Sequence, residues 1–172
     1  YFASKTISGI FTDEPGHPVA VPLKPGCRTH FRRWIGMEDE YRAETGRDFR
    51  ADVEGFLADG GTVEVWSVYA KLMGRRFRTA YFDQIREWCD RMGILFTGHM
   101  INEHGIWGAC LCNGDPLLAI RGESLPGIDE IFSRASLGNG YDMRKNEPEW
   151  LTFATAQHAT SRNKRGGLIE LY

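Results

Sequence analysis

Short apolar runs separated by longer amphipathic stretches make up the hydrophobic pattern of this chain. Four of these runs predict buried strands near residues 7–12, 94–98, 127–130 and 167–171. Between them, apolar positions recur at steps of three and four residues, which is typical of helices that bury one face. Strand, loop, helix and strand in this order predict an α/β fold with parallel strands and covering helices.

The helical pattern is strongest between about Val63 and Met92. A helix of that length would measure about 45 Å, so we expect a kink at Gly74. Gly93 follows the last apolar position and is expected to end the helix. Weaker patterns predict helices over Met37–Thr45, about 49–57, about 106–121 and about 146–163.

The pattern fits half of an eight-stranded (β/α)₈ TIM barrel. The chain starts at Tyr1 and ends in a strand-like run, and we expect residues 1–172 to form a single-domain fragment of a longer protein. The proline-containing segment from Gly16 to Trp34 would then be a loop over the active site. An open doubly wound sheet would more often carry a glycine-rich phosphate loop after its first strand, and none is present here.

Composition and charge exclude several classes of function. The net charge is −2, so nothing favours nucleic acid or an anionic membrane surface as a partner. No apolar run is long enough to predict a membrane span. We expect no cofactor. The localisation stays open between a bacterial cytoplasm and secretion.

Four cysteines are present, at Cys27, Cys89, Cys110 and Cys112. The last two form a C-x-C pair, but no second close pair completes a tetrahedral zinc site. We expect plain thiols, with Cys89 on the apolar stripe of a helix, and a disulfide as the alternative.

Two glutamates lie at the ends of predicted strands. Glu14 follows an apolar run and precedes Pro15, whereas Glu170 lies inside the final apolar run. Active sites of (β/α) barrels lie at the carboxyl ends of the strands. An acidic side chain inside an apolar strand is costly unless it faces a polar site. The alternatives are a solvated turn residue for Glu14 and an outward-facing edge residue for Glu170.

A pair of carboxyl groups is what glycoside hydrolysis requires. One carboxylic acid protonates the departing oxygen, and a second carboxylate acts as nucleophile or activates water. We therefore expect Glu14 to be the acid/base and Glu170 to be the nucleophile of a glycosidase.

These segments resemble the retaining glycosidases built on (β/α)₈ barrels. That clan carries its acid/base in an Asn-Glu-Pro type motif after strand four and its nucleophile at the end of strand seven. The segment Asp13–Pro15 matches the first motif with Asp in place of Asn, and Leu168–Glu170 matches the second. Asp13 would accept the hydrogen bond that the clan's Asn makes with the sugar 2-hydroxyl.

The motifs Phe-Thr-Asp-Glu-Pro, Thr-Gly-His-Met, Pro-Gly-Ile-Asp and Ile-Glu-Leu-Tyr look more specifically like a little-characterised bacterial set of glycosidase-like barrels. The resemblance covers nearly the whole chain. It implies strands four to seven of a barrel, hydrolysis of an O-glycosidic bond and a carbohydrate substrate. It also implies that the remainder of the barrel is missing from this chain.

Polar residues after the predicted strands suit a sugar site. His99 is the best candidate for a substrate hydrogen bond, with a structural histidine as the alternative. Asn102 and Glu103 follow it closely, and Asp13 precedes the acid/base. Asp129 ends the third predicted strand, where it would bind substrate or cap the following turn.

Aromatic residues in the loops are candidates for stacking on a sugar ring. Phe31 and Trp34 are in this position, although aromatic side chains more often belong to a core. We assign Trp66, Trp88 and Trp150 to packing because they lie on helical stripes.

Two other functions stay open. A metal-dependent barrel hydrolase or sugar isomerase would find suitable divalent-cation ligands in Asp13, Glu14, His99, Glu103 and His104. No H-x-H or H-E-x-x-H spacing supports it. A non-catalytic carbohydrate-binding barrel would keep the fold without the chemistry, and the presence of both glutamates argues against it.

Overall fold

The structure, a computed structural model, describes residues 6–16, 31–59, 63–102, 106–130 and 167–171. These ranges contain four strands and the helices that connect them. In chain order they are β1 (Gly9–Thr12), α1 (Met37–Thr45), α2 (Phe49–Asp59), α3 (Val63–Phe77), a π-helix (Arg78–Phe82), α4 (Asp83–Met92), β2 (Leu95–Gly98), α5 (Ile106–Asn113), α6 (Pro116–Ile120), β3 (Leu125–Glu130) and β4 (Leu168–Leu171). The helix expected over about 146–163 lies outside the described residues.

The four strands form one parallel sheet in the order β1-β2-β3-β4. The register places Ile10 beside Phe96 and Thr97 beside Leu125. Each described strand is therefore next to the described strand that follows it in chain order. The α/β class, the four strands and their parallel arrangement are confirmed.

One face of the sheet packs against helices. Ile10, Phe96 and Ile128 come from three neighbouring strands and contact the same cluster, which includes Phe82 of the π-helix and Cys89 of α4. Phe82, Cys89 and Phe96 are fully buried. Burying an aromatic or aliphatic side chain of this size contributes about 1.5–3 kcal/mol, so this cluster fixes the helical layer on the sheet.

The opposite face of the sheet is open at β1. Phe11 follows Ile10, and side chains alternate along a strand, so Phe11 points away from the helical cluster. Its side chain is 42% exposed although it lies in the middle of β1.

A second core joins α1, α2 and α3. Tyr41, Phe49 and Tyr69 pack together in edge and stacked arrangements. The Tyr41 hydroxyl donates to Asp52 Oδ2 at 2.7 Å. Burial raises the pKa of Tyr41, and the hydrogen bond to Asp52 adds to that shift. This cluster gives the crossover between β1 and β2 its own packed helical layer.

The long helical pattern is interrupted at the π-helix and not at Gly74, so the predicted kink was wrong. Gly74 has a different structural role, because a Cβ atom there would lie 2.4 Å from the Asp115 carbonyl oxygen. The Asp115 N–H donates to the Ala70 carbonyl at 2.8 Å. Glycine at position 74 therefore lets the loop after α5 approach α3 closely. Gly93 ends α4 in the left-handed conformation, as predicted.

The region predicted as one weak helix over about 106–121 contains two short helices. Gly114 has a positive φ of 73° and ends the first. Asp115 caps the second, because its carboxylate accepts from the Leu118 N–H at 3.1 Å, and Pro116 occupies the first turn. A glycine followed by a cap and a proline explains the break.

Two of the three tryptophans assigned to packing are described. Trp66 is buried in the second core, as expected. Trp88 is 42% exposed, so its assignment to the core was wrong. Its neighbour Cys89 takes the buried position of α4, and consecutive residues on a helix point about 100° apart. Trp150 lies outside the described residues.

Cys89, Cys110 and Cys112 are free thiols, which agrees with the prediction for these three. Cys27 lies outside the described residues. Burial raises the pKa of both Cys89 and Cys110.

Among the helices in the described ranges, none has the length and apolar character needed to cross a membrane.

Candidate functional site

The carboxyl ends of β1 and β2 bring Asp13 and His99 together. His99 Nε2 lies 3.0 Å from Asp13 Oδ1. The His99 side chain is 3% exposed, whereas the Asp13 side chain is 81% exposed. The imidazole is therefore held inside the protein, and the carboxylate that it contacts is open to a ligand.

Backbone packing fixes the position of His99. Its N–H donates to the Thr12 carbonyl at 3.2 Å, which continues the pairing of β1 and β2 by one residue. The Phe11 ring lies 5.6 Å from the imidazole, centroid to centroid. A Cβ atom at Gly98 would lie 2.3 Å from the Thr12 carbonyl oxygen, so only glycine allows the strands this approach. The motif Thr-Gly-His thus places the histidine beside Asp13.

Glu14 is exposed and has a left-handed backbone, with φ of 45°. A non-glycine residue in this region costs on the order of 1–3 kcal/mol and is over-represented at functional sites. This left-handed conformation turns the chain sharply after β1, between Asp13 and Pro15. The predicted acid/base is therefore presented on a tight turn at the carboxyl end of the strand.

The second predicted acid lies in β4. Glu170 is the register partner of Asp129 in β3. Neighbouring strands are about 4.8 Å apart, so the two residues are adjacent near the carboxyl ends of their strands. The same edge of the sheet carries Asp13 and Glu14 after β1 and His99 after β2. Because all four strands are parallel, the predicted catalytic residues share one edge.

Asn102 is oriented by a contact within the protein. Its Nδ2 atom donates to Cys112 Sγ at 3.0 Å, and its backbone has a positive φ of 58°. Asn113 Nδ2 donates to the Ile101 carbonyl at 3.0 Å. These bonds fix the loop after β2 on α5. A role for Asn102 in substrate binding stays a prediction, and Glu103 lies outside the described residues.

A cleft of about 670 Å³ opens beside the turn that carries Glu14. Its volume falls within the range of small-molecule sites. The lining comes from three segments: Pro15 and Gly16; Arg32, Arg33 and Trp34; and Met73, Arg76, Phe77, Ala80 and Tyr81.

Trp34 lines this cleft and also packs against the second core, with its ring 6.3 Å from that of Tyr69, so its stacking on a sugar stays a prediction. Its Nε1 donates to Glu40 at 3.2 Å, which holds the indole in place. Phe31 is different. It packs edge-on against Phe49 and Tyr69 and belongs to the second core, so its proposed stacking role is replaced by the packing alternative.

Sequence reasoning missed three arginines and a tyrosine of the cleft, which are Arg32, Arg33, Arg76 and Tyr81. The only local signal was the basic-aromatic triplet at residues 32–34. Arg76 and Tyr81 are far from it in sequence, and tertiary packing brings them to the same cavity.

No three His, Cys, Asp or Glu side chains come together as a metal-binding group in the part of the chain that the structure describes.

Comparison with other proteins identifies no family for this chain. No protein-family model matches the chain, and no curated protein or solved structure is significantly similar to it.

Proposed function

We propose that this chain forms consecutive β/α units of a (β/α)₈ barrel glycosidase that cleaves an O-glycosidic bond with retention of configuration. Glu14 is the acid/base and Glu170 is the nucleophile. One observation carries the proposal: Glu14 follows the carboxyl end of β1, and Glu170 lies near the carboxyl end of β4 in the same parallel sheet. Substrate sites of barrels lie at this edge.

The sheet topology supports the barrel. Strands in chain order, each parallel to the next, are the arrangement of a barrel wall, whereas a doubly wound sheet reverses its strand order. The helical cluster covers one face, and Phe11 is exposed on the other. In a closed barrel that second face is the interior, which layers of side chains fill.

The reaction has two steps. First, the Glu170 carboxylate attacks the anomeric carbon while Glu14 gives its proton to the departing oxygen, which forms a glycosyl-enzyme. Second, Glu14 takes a proton from water as the water attacks the anomeric carbon, and Glu170 leaves as a carboxylate. Each step inverts the anomeric centre, so the product keeps the configuration of the substrate.

His99 and Asp13 position the sugar in this scheme. With a proton on Nε2, His99 donates to Asp13 Oδ1 across the 3.0 Å contact. The second carboxylate oxygen of Asp13 then accepts a hydrogen bond from a substrate hydroxyl. The buried imidazole thus fixes an exposed carboxylate, which replaces the amide of the Asn-Glu-Pro type motif.

The stereochemistry of the first product tests this function. The full-length gene product should hydrolyse at least one glycoside from a panel of aryl glycosides of both anomeric configurations. Proton NMR should show a first product with the configuration of the substrate. An inverted product would contradict Glu170 as nucleophile and would correspond to carboxyl groups about 6.5–9.5 Å apart instead of about 5–5.5 Å.

Two further outcomes would favour the rival functions. Activity that is lost with a chelator and restored by a divalent cation would support a metal-dependent hydrolase or isomerase. Binding of sugars by a folded protein that turns over no glycoside would support a non-catalytic barrel.

Substitution of Phe11 tests barrel closure separately from chemistry. In a closed barrel its ring is buried, so Phe11→Ala should lower the free energy of unfolding of the full-length gene product by about 1.5–3 kcal/mol. An open sheet would leave the ring as exposed as in the described structure. A change below about 0.5 kcal/mol in urea unfolding would therefore contradict closure.

A further inference from the structure

The cleft beside Glu14 is lined by cationic side chains. Among the described residues, three arginines and no acidic side chain line it. One of them, Arg33, pairs with Glu38. Several arginines elsewhere in the described ranges pair with carboxylates, for example Arg75 with Glu44. The guanidinium groups of Arg32 and Arg76 form no ion pair with any described residue. Within the described ranges, no carboxylate therefore neutralises these two guanidinium groups of the cleft.

Two local structures hold the cationic residues at the cleft. The Tyr69 hydroxyl donates to the Arg32 carbonyl at 3.1 Å and accepts from the Arg32 N–H at 2.8 Å, so the loop before α1 is tied to α3. Arg76 is the second-last residue of α3, which is followed by the π-helix that contains Tyr81 of the lining. Short π-helical segments inside helices are frequently found at functional sites.

The remaining lining suits a sugar ring. Trp34 and Tyr81 present aromatic rings with polar tips, and Phe77 adds apolar surface. Aromatic faces of this kind pack against the C–H groups of a pyranose. Arginine binds carboxylate and phosphate groups with two parallel hydrogen bonds. Aromatic rings and unpaired arginines in one cavity therefore fit a saccharide that carries an anionic group.

We propose that this cleft binds an anionic sugar unit on the leaving-group side of the scissile bond, and that Arg32 and Arg76 bind its carboxylate, phosphate or sulfate. The side follows from position, because Pro15 and Gly16 of the lining directly follow Glu14, which protonates the departing oxygen. This assignment of the side rests on the proposed function. The anion preference rests on the cleft alone.

A binding experiment tests the preference without requiring hydrolysis. Glucuronate, glucose 6-phosphate and glucose share one ring and differ at C6, and each is titrated into the full-length gene product by NMR or calorimetry. We expect at least one anionic sugar to bind roughly tenfold or more tightly than glucose, because a charge-assisted pair is worth that ratio. The tighter of the two anions identifies a carboxylate or a phosphate ligand.

Arg76→Gln is the variant and Arg75→Gln is its matched control, since Arg75 is the neighbouring residue of α3 and pairs with Glu44. Arg76→Gln should lower the affinity for the anionic sugar roughly tenfold, to about that for glucose. Arg75→Gln should leave the affinity unchanged. Both side chains are exposed, so both variants should fold. Equal binding of glucose and both anions, or equal effects of the two variants, would overturn the proposal.

Hydrolysis separates this inference from the proposed function. With an active enzyme, Arg76→Gln should raise KM for a substrate with an acidic leaving-group sugar and leave kcat unchanged. If the anion preference is found but no glycoside is cleaved, the cleft assignment stands and the glycosidase assignment fails. If glycosides are cleaved but anionic sugars bind no more tightly than glucose, the glycosidase assignment stands and the cleft assignment fails.

Discussion

Replacing Glu170 with Gln is expected to abolish turnover of every glycoside, whatever its leaving group. An amide cannot form the glycosyl-enzyme, so the first step is lost for activated and unactivated substrates alike. The loss of turnover in Glu14→Gln should instead depend on the leaving group. Turnover of substrates with alkoxide leaving groups should fall about 10²–10⁴-fold, the usual contribution of general acid catalysis. A dinitrophenyl glycoside needs no proton and should still form the intermediate.

Azide distinguishes the two roles further. In the Glu14→Gln variant the intermediate accumulates, because no base activates water for the second step. Azide needs no base, so it should partly restore turnover of the activated substrate and give a glycosyl azide. Glu54→Gln is the control, since this exposed carboxylate lies on α2. Near-normal activity of Glu170→Gln would refute the assignment, and Asp129 and Glu103 would become the next nucleophile candidates.

The strands could be predicted from the sequence because local signals agree with their environment. Three of them are short apolar runs that end in glycine or polar residues, and the fourth is a short apolar run that contains Glu170. Gly93 stops α4 directly before the run that contains β2. A helix between two such runs requires a crossover, and parallel pairing follows from it. Burial of Phe96 and Ile128 on the helical face confirms that these runs are core strands.

No pattern in the sequence predicts the π-helix, and its last residue is held by a tertiary contact. Phe82 ends the π-helix and is fully buried beneath Gly122, where a Cβ atom would lie 2.3 Å from the Phe82 Cβ. That contact joins residues of two separate helices and their loops, and no local propensity encodes it. The kink was predicted at Gly74 because glycine weakens helices. In the structure, Gly74 instead allows the Asp115 backbone to approach α3 closely.

The site was predictable only in part. The sequence places Asp13 and His99 after predicted strands, and the structure shows that these two strands are neighbours, which brings the side chains into contact. The cleft lined by Arg32, Arg33 and Arg76 was not predicted from the sequence. Arg32 and Arg76 meet through the packing of α3 against the loop anchored by Tyr69, which becomes visible only in three dimensions.

The largest loss of stability is expected on truncation of Phe96. Its side chain is fully buried between the sheet and the helical layer. It contacts Phe82, with ring centroids 6.1 Å apart, and lies in register with Ile10. Phe96→Ala removes this ring from the centre of the cluster and leaves a cavity. We expect the free energy of unfolding, measured in urea, to fall by about 3–5 kcal/mol.

Trp88→Ala is the control for this loss, because it removes a larger aromatic ring from a neighbouring helix. Trp88 is 42% exposed, so truncation should cost about 1 kcal/mol or less. Phe96→Leu keeps most of the apolar volume and should lie between these values. Equal losses for Phe96→Ala and Trp88→Ala would contradict the described packing of α4 on β2. A large difference would show that the helical layer is fixed to the sheet through β2.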